Sequence, residues 1–229
     1  MTDNTNYKVD FYDRERLKQM PADEFKRDLK TVFDASIPWE SPTYDASFQD
    51  HYFQHAAAAV VVRLDERPVA LSLAFSGVDE DKAIFYISGI WVDEQFKSKG
   101  LGRLIIRTLI ECGVQSCFGQ LPHKIFIALR TQNPQIYEFF NRYYDVYPHW
   151  DKTPDDEIAG VARWVHRQYS PKKSYDSKLM IVRNVFPEGI VVGHLHPSRD
   201  PRISEFVYRD LDVRGGDSLV LVMPHKSSC

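Results

Sequence analysis

The spacing of apolar and polar positions changes period several times along the chain, and each change marks an element. "YKVDFYD" (Tyr7–Asp13) alternates at period two and predicts a first strand. Proline and acids open the next segment, where Phe25, Leu29 and Phe33 recur at helical spacing, so "PADEFKRDLKTVFDASI" predicts an amphipathic helix. The aromatic, irregular stretch "PWESPTYDASFQDHYFQHA" follows, read as loop plus a short helix. "AAAVVVRL" and "VALSLAF" flank "DERP" and predict a strand–turn–strand, with Pro68 opening the second strand. "GVDEDK" is another turn, and "AIFYISGIWV" is a third β-rich run.

From about Leu101 to Gln115 the period becomes helical, with Leu101, Leu104, Ile105, Leu109 and Cys112 as the apolar face and Arg103, Arg107 and Glu111 opposite. "KIFIALR" predicts a fourth core strand. "NPQIYEFFNRYY" predicts a helix capped by Asn133 with Pro134 in its first position. "DDEIAGVARWVHRQY" predicts a further helix, "DPRISEFVYRDLDV" a helical segment, and "LMIVRNVF" and "SLVLVMP" late strands; "SPKKSYDSK" reads as a flexible connection. Three consecutive strands with tight turns pair antiparallel, whereas the strand–helix–strand unit from Ala83 to Arg130 requires a right-handed parallel crossover. The expected fold is therefore a mixed α/β sheet. Residues 1–150 form its core, and residues 151–229 form an extension whose late strands complete the sheet within the same domain.

Composition bounds the function. With 229 residues, 43% apolar and 13% aromatic, the chain can bury one sizeable core. A net charge of −3 without a basic stripe argues against a nucleic-acid-binding surface. No apolar run reaches the length of a membrane span, and the polar, acidic start does not read as a signal peptide. Three sparse cysteines, Cys112, Cys117 and Cys229, fit a reducing compartment, so a cytoplasmic protein is expected.

The chemistry concentrates in "QFKSKGLGRLIIRTLIECG". Glycine is a poor helix former, costing up to about 1 kcal/mol against alanine, yet Gly100 and Gly102 stand where the helix begins. Bare backbone at a helix N-terminus, with Lys97 and Lys99 beside it, makes a cradle for a pyrophosphate. The P-loop pattern is absent, and the dinucleotide pattern fails because Ile105 stands where its third glycine belongs. What remains, "KSKGLG", resembles the R/Q-x-x-G-x-G/A signature of the GNAT superfamily of N-acetyltransferases, with Lys97 at the R/Q position. A lysine there contacts phosphate as a point charge. The surroundings extend the resemblance over residues 56–144: "ISGIWV" before the signature, "KIFIALR" after its helix, then Asn133 opening a helix with Phe140 seven residues on.

The resemblance implies a mostly antiparallel sheet with a splayed parallel pair at its centre and helices on both faces. It implies acetyl-CoA as acyl donor and direct transfer of acetyl to an amine, on a small molecule or a peptide. By position, Ile90, Trp91 and Val92 would supply backbone to the pantetheine arm, with an N–H near Val92 facing the thioester oxygen. Lys97, Ser98, Lys99, Gly100, Leu101, Gly102 and Arg103 would hold the pyrophosphate, and Asn133 would contact the arm. Phe140 would line the cofactor, where it replaces the tyrosine by which many members protonate the leaving thiolate; Tyr143, one turn on, Tyr144 and Tyr137 are the nearby substitutes. Tyr86, Ser88, Asp93 and Glu94 are the candidate bases, with a water chain as a further route. A catalytically silent acyl-CoA-binding module is the first alternative, and a transferase using a longer acyl chain is the second. Oligomeric state, monomer or homodimer, is open. No metal site is expected: His194 and His196 share one face only if extended, and Asp200 is the sole further candidate ligand. The aromatic segment with Trp39, Tyr44, Phe48, Tyr52 and Phe53, with Glu40 and Asp45, suits a cation bearing an apolar body.

Overall fold

Two compact units emerge from a computed structural model that describes residues 6–36, 51, 53–119, 124–186 and 197–225. One comprises residues 1–76 and 87–121, the other residues 77–86 and 122–229.

In the first unit β1 (Lys8–Asp13) pairs antiparallel with β2 (Ala58–Leu64), and β2 with β3 (Arg67–Asp79), followed by the second half of β4 (Lys82–Val92). Phe11 lies opposite Val60, and Val61 opposite Leu71. Asp65 and Glu66 both take positive φ (49° and 65°), the two-residue loop that matches the twist of a hairpin. Ala58 to Arg63 are all buried. Because side chains alternate across a strand, such a run means that both faces of β2 are covered. Helix α1 (Arg14–Gln19), not expected from the sequence, is capped by the Asp13 side chain. Helix α2 (Ala22–Ser36) buries Phe25, Leu29 and Phe33 as its spacing predicts, and Val32 with them, each worth about 1.5–3 kcal/mol of apolar burial. Between α2 and the sheet the Arg63 guanidinium is held by Asp28 and by Asp10, the latter at 3.2 Å.

Helix α3 (Leu101–Phe118) packs on β1 and β2. Its buried stripe corrects the expected one. Leu101, Ile105 and Leu109 face inward, joined by Ile106, Ile110, Gly113 and Val114, while Leu104 and Cys112 are exposed. The stripe widens on the side of the isoleucines, which carry more apolar surface than the alternative flank.

In the second unit the strand order is β4–β5–β8–β7–β6, with β5 (Lys124–Thr131) parallel to β4 and the remaining pairs antiparallel. The fold is a mixed, mostly antiparallel α/β one, as expected. Ile127 faces Met223 across β5 and β8 (Ser218–His225). β6 (Tyr175–Asp176) and β7 (Ile181–Val182) are two residues each. The longer strand expected from "LMIVRNVF" is cut short by left-handed backbone at Met180 and Asn184 (φ 54° and 53°). Helix α4 (Pro134–Tyr143) begins at the Asn133 cap, α5 (Asp156–Tyr169) packs on β8 and β5, and α6 (Pro201–Arg209) starts from the Asp200 cap. Among the described residues no helix is long and apolar enough to cross a membrane.

Candidate active site

The glycines at the start of α3 differ from others in the chain in what their missing side chains would meet. A Cβ on Gly89 would lie 1.8 Å from the Trp91 ring, and one on Gly77 would lie 2.4 Å from Trp164. Those glycines make room for packed indoles. A Cβ on Gly100 would meet nothing within 4 Å, and one on Gly102 only the Val92 methyl at 4.0 Å. Gly100 is required by its backbone, with φ 82°. Gly102 has a negative φ and open space in front of it, so neither backbone nor packing demands it.

The loop ahead of α3 curls in the same sense. Lys97 and Lys99 have negative φ while Ser98 (φ 65°) and Gly100 have positive φ. Extended Lys97 (ψ 153°) followed by left-handed Ser98 makes a tight turn, closed by the Lys99 N–H on the Phe96 carbonyl at 3.4 Å, which leads the chain into the first turn of α3. Gly100 caps α3 without a side-chain hydrogen bond, and the first turn of a helix carries N–H groups without intrahelical acceptors and a partial positive charge. The Lys97 ammonium is paired with Glu94, and that of Lys99 lies 5.1 Å above the Phe96 ring. Tyr7 meets the same ring edge-on at 6.4 Å. Arg103 projects exposed from the first turn.

β4 leads into this loop. Its residues 83–87 are buried and its residues 88–92 are all partly exposed, on both faces. The Ser72 hydroxyl donates to the Gly89 carbonyl at 2.7 Å, and the Trp91 ring lies 6.1 Å from Phe33. Asp93 is buried. One of its carboxylate oxygens accepts from the Gln95 N–H at 2.9 Å and the other from the Arg67 guanidinium at 2.5 Å.

The sequence model of the acetyltransferase (GNAT) family matches residues 22–145, more than half of the chain. The chain belongs to the GNAT acetyltransferase family. A search of curated proteins returned no match. Among solved structures, Arabidopsis thaliana Naa50 in complex with a bisubstrate analogue is 12% identical, with a TM-score of 0.48 over 94% of this chain and 97% of that one. A GNAT family acetyltransferase from Elizabethkingia anophelis with acetyl-CoA bound is 11% identical (TM-score 0.44), covering 96% and 99%. A ribosomal-protein-alanine N-acetyltransferase from Brucella melitensis is 14% identical (TM-score 0.42), covering 66% and 99%. These likenesses are distant, and the family assignment rests on the sequence model.

Within this GNAT chain the first unit gathers Ile90 to Val92, Asp93 and the loop from Lys97 to Arg103 in one continuous stretch. The second unit holds the rest. Asn133 Oδ1 accepts from the Gln135 N–H at 2.9 Å, so this side chain caps α4. Phe140, expected to line the cofactor, is fully buried with its ring against Phe139 and Tyr144. Tyr137 is also buried and donates its hydroxyl to the Pro148 carbonyl at 2.8 Å; burial, then the Asp151 charge, pushes its pKa well up. Tyr143 is 51% exposed with its ring 5.3 Å from Phe139.

Sequence reasoning named Tyr86 as a candidate base but missed the partly buried cluster around it. The Tyr86 ring stacks on Tyr169 at 4.1 Å, its hydroxyl accepts from Arg130 Nε at 2.8 Å, and Arg130 also donates to the Ser170 hydroxyl. Burial, then the neighbouring Tyr86, raises the Tyr169 pKa, with Arg130 acting the other way. An arginine directly after the apolar run from Ile125 to Leu129 was the available signal. Asp200 pairs with Arg202 and caps α6. Phe53 lies 5.8 Å from Phe25. His194 and His196, and Trp39, Glu40, Tyr44, Asp45, Phe48 and Tyr52, lie outside the described residues.

Proposed function

We propose that this chain is an acetyl-CoA-dependent N-acetyltransferase that moves an acetyl group to a primary amine by direct attack on the thioester. The observation that carries this reading is the open space before Gly102, at a helix N-terminus with lysines beside it. A family member needs a pyrophosphate cradle, and an uncapped helix end with no Cβ in the way is one.

Acetyl-CoA supplies the activated acetyl thioester. In the reading proposed, the signature loop from Lys97 to Arg103 holds the pyrophosphate, chiefly through the N–H groups of the first turn of α3 and the Lys97 ammonium. Ile90 to Val92 offer partly exposed strand backbone to the arm, and an N–H near Val92 polarises the thioester carbonyl. One preorganised donor of that kind is worth about 3 kcal/mol in the transition state. The amine nitrogen forms its bond to the carbonyl carbon, the carbon–sulfur bond breaks, and the amine gives its proton to water. Tyr143 is the proton donor assigned to the thiolate. Of the tyrosines within α4, Tyr137 is buried with its hydroxyl occupied, whereas Tyr143 has an exposed ring. A cytoplasmic setting goes with the free thiols of Cys112 and Cys117.

A second reading, an acyl-CoA-binding module without chemistry, has Phe140 in its favour, because that buried ring offers no proton. Calorimetry with acetyl-CoA and with acetyl-pantetheine, which lacks the phosphates, tests the cradle; equal affinities would sink it. An acetylation assay on a panel of polyamines, aminoglycosides and peptide N-termini then separates the readings. Tight binding without transfer to any of them would favour the silent module.

A further inference from the structure

Asp93 was expected among the candidate bases, and its surroundings in the first unit give it other work. Its side chain is 2% exposed. Its N–H donates to the Val69 carbonyl at 2.9 Å, and its carbonyl accepts from the Phe96 N–H at 2.8 Å. Its carboxylate takes the Gln95 N–H on one oxygen and the Arg67 guanidinium on the other. A general base must reach the proton that it removes, and this carboxylate is engaged on both oxygens below the surface. The same four bonds join the start of β3, the end of β4 and the short turn Glu94–Phe96, after which the phosphate loop begins.

We propose that Asp93 is the positioning residue of this phosphate loop, and that Arg67 acts through it as a latch. The inference rests on the acetyl-CoA reading above and deepens it. Arg67 is half-exposed, so the guanidinium keeps much of its hydration while neutralising a carboxylate that is out of water. Removing it leaves a buried charge without its counter-ion, the costly half of a broken ion pair. The carboxylate then turns toward solvent, and the Gln95 N–H loses its acceptor. The turn from Glu94 to Phe96 loosens, and with it the direction of the N–H groups at Ser98 to Gly102. On this proposal the chemical step keeps its rate, because the Asp93 carboxylate, engaged on both oxygens, acts only through the turn.

The variants are Arg67→Met, Arg67→Lys and Asp93→Asn, each read by steady-state kinetics and by amide hydrogen exchange without cosubstrate. Arg67→Met is expected to raise KM for acetyl-CoA about tenfold, with kcat within about threefold of wild type. Arg67→Lys should recover most of that loss, since an ammonium restores the charge. Exchange at Gln95 and Phe96 should speed up in Arg67→Met while the amides of β2 keep their protection. Asp93→Asn should raise KM and leave the pH dependence of kcat unchanged. If Asp93→Asn instead slows turnover by a factor of roughly 10²–10⁴ and loses one limb of the pH–rate profile, Asp93 is the base and the latch is overturned. Unchanged exchange at Gln95 and Phe96 in Arg67→Met would also overturn it. Should Arg67→Met fold poorly, Arg67→Gln removes the charge and keeps a donor. The exchange arm needs no acetyl-CoA, so a wild type without transfer activity sinks the transferase reading, while exchange still decides whether the latch exists.

Discussion

Replacing Gly102 by valine separates a glycine kept for a ligand from a glycine kept for the fold. The new Cβ would lie 4.0 Å from the Val92 methyl, an ordinary contact, and nothing else stands closer. Glycine is the poorer helix former by a few tenths of a kcal/mol, and valine adopts the negative φ of this site without strain. Folding stability should therefore stay within about 0.5 kcal/mol, a shift of about 2 °C or less in Tm for a chain of this size. The branched methyl groups, however, enter the open space before α3, where the pyrophosphate is proposed to lie. Affinity for acetyl-CoA should drop at least tenfold, about 1.4 kcal/mol. Calorimetry and thermal melting on the same sample read both effects. Gly89→Ala is the contrasting control: its Cβ would lie 1.8 Å from Trp91, so it should lower Tm. Acetyl-CoA binding within twofold of wild type in Gly102→Val would refute the cradle, and a Tm loss above about 4 °C would return Gly102 to a packing role.

Tyr143→Phe should slow turnover by a factor of about 10² or more, with KM for acetyl-CoA little changed, if Tyr143 protonates the thiolate; a loss below about threefold in steady-state assays would remove that assignment. Arg63→Met leaves the Asp28 carboxylate buried without its cation, so denaturant melts should show a loss of about 3–5 kcal/mol; a loss under about 1 kcal/mol would mean that the pair relaxes into solvent. Burial lowers the pKa of His225, and burial followed by the His55 charge lowers that of His51, from an ordinary 6.5. The unfolded chain thus binds more protons as pH falls below 6.5, so stability from these two groups is full above that pH and declines beneath it. Tm followed from pH 8 to 5 should fall first below about 6.5, and His225→Gln should flatten that limb.

Periodicity exposed most of the elements because most are made by burial. β2 and β8 are runs of buried alanine, valine and leucine, and α2 and α5 repeat their apolar positions at helical spacing. Where an element depends on something other than its own pattern, the sequence was silent or misleading. Six-residue α1 exists because Asp13 caps it, a local hydrogen bond with little hydrophobic signal. The strand around Ile181 stops where Met180 and Asn184 turn left-handed, a conformation that their side chains do not announce.

The same distinction runs through the site. Gly100 and Gly102 stood out as breaches of helix propensity, and a breach of a local rule is where function is to be sought. Asp93 broke no rule. An aspartate after a strand is a common cap, and only its three-dimensional partners, Val69 and Arg67 across the chain, mark it as the anchor of the loop. A base and an anchor demand opposite things of a carboxylate. A base needs an idle oxygen facing the substrate, and an anchor needs both oxygens occupied away from it. The sequence offers the carboxylate alone, so it cannot choose between them. The choice lies in hydrogen bonds made to residues 24 and 26 positions away, and there the geometry favours the anchor.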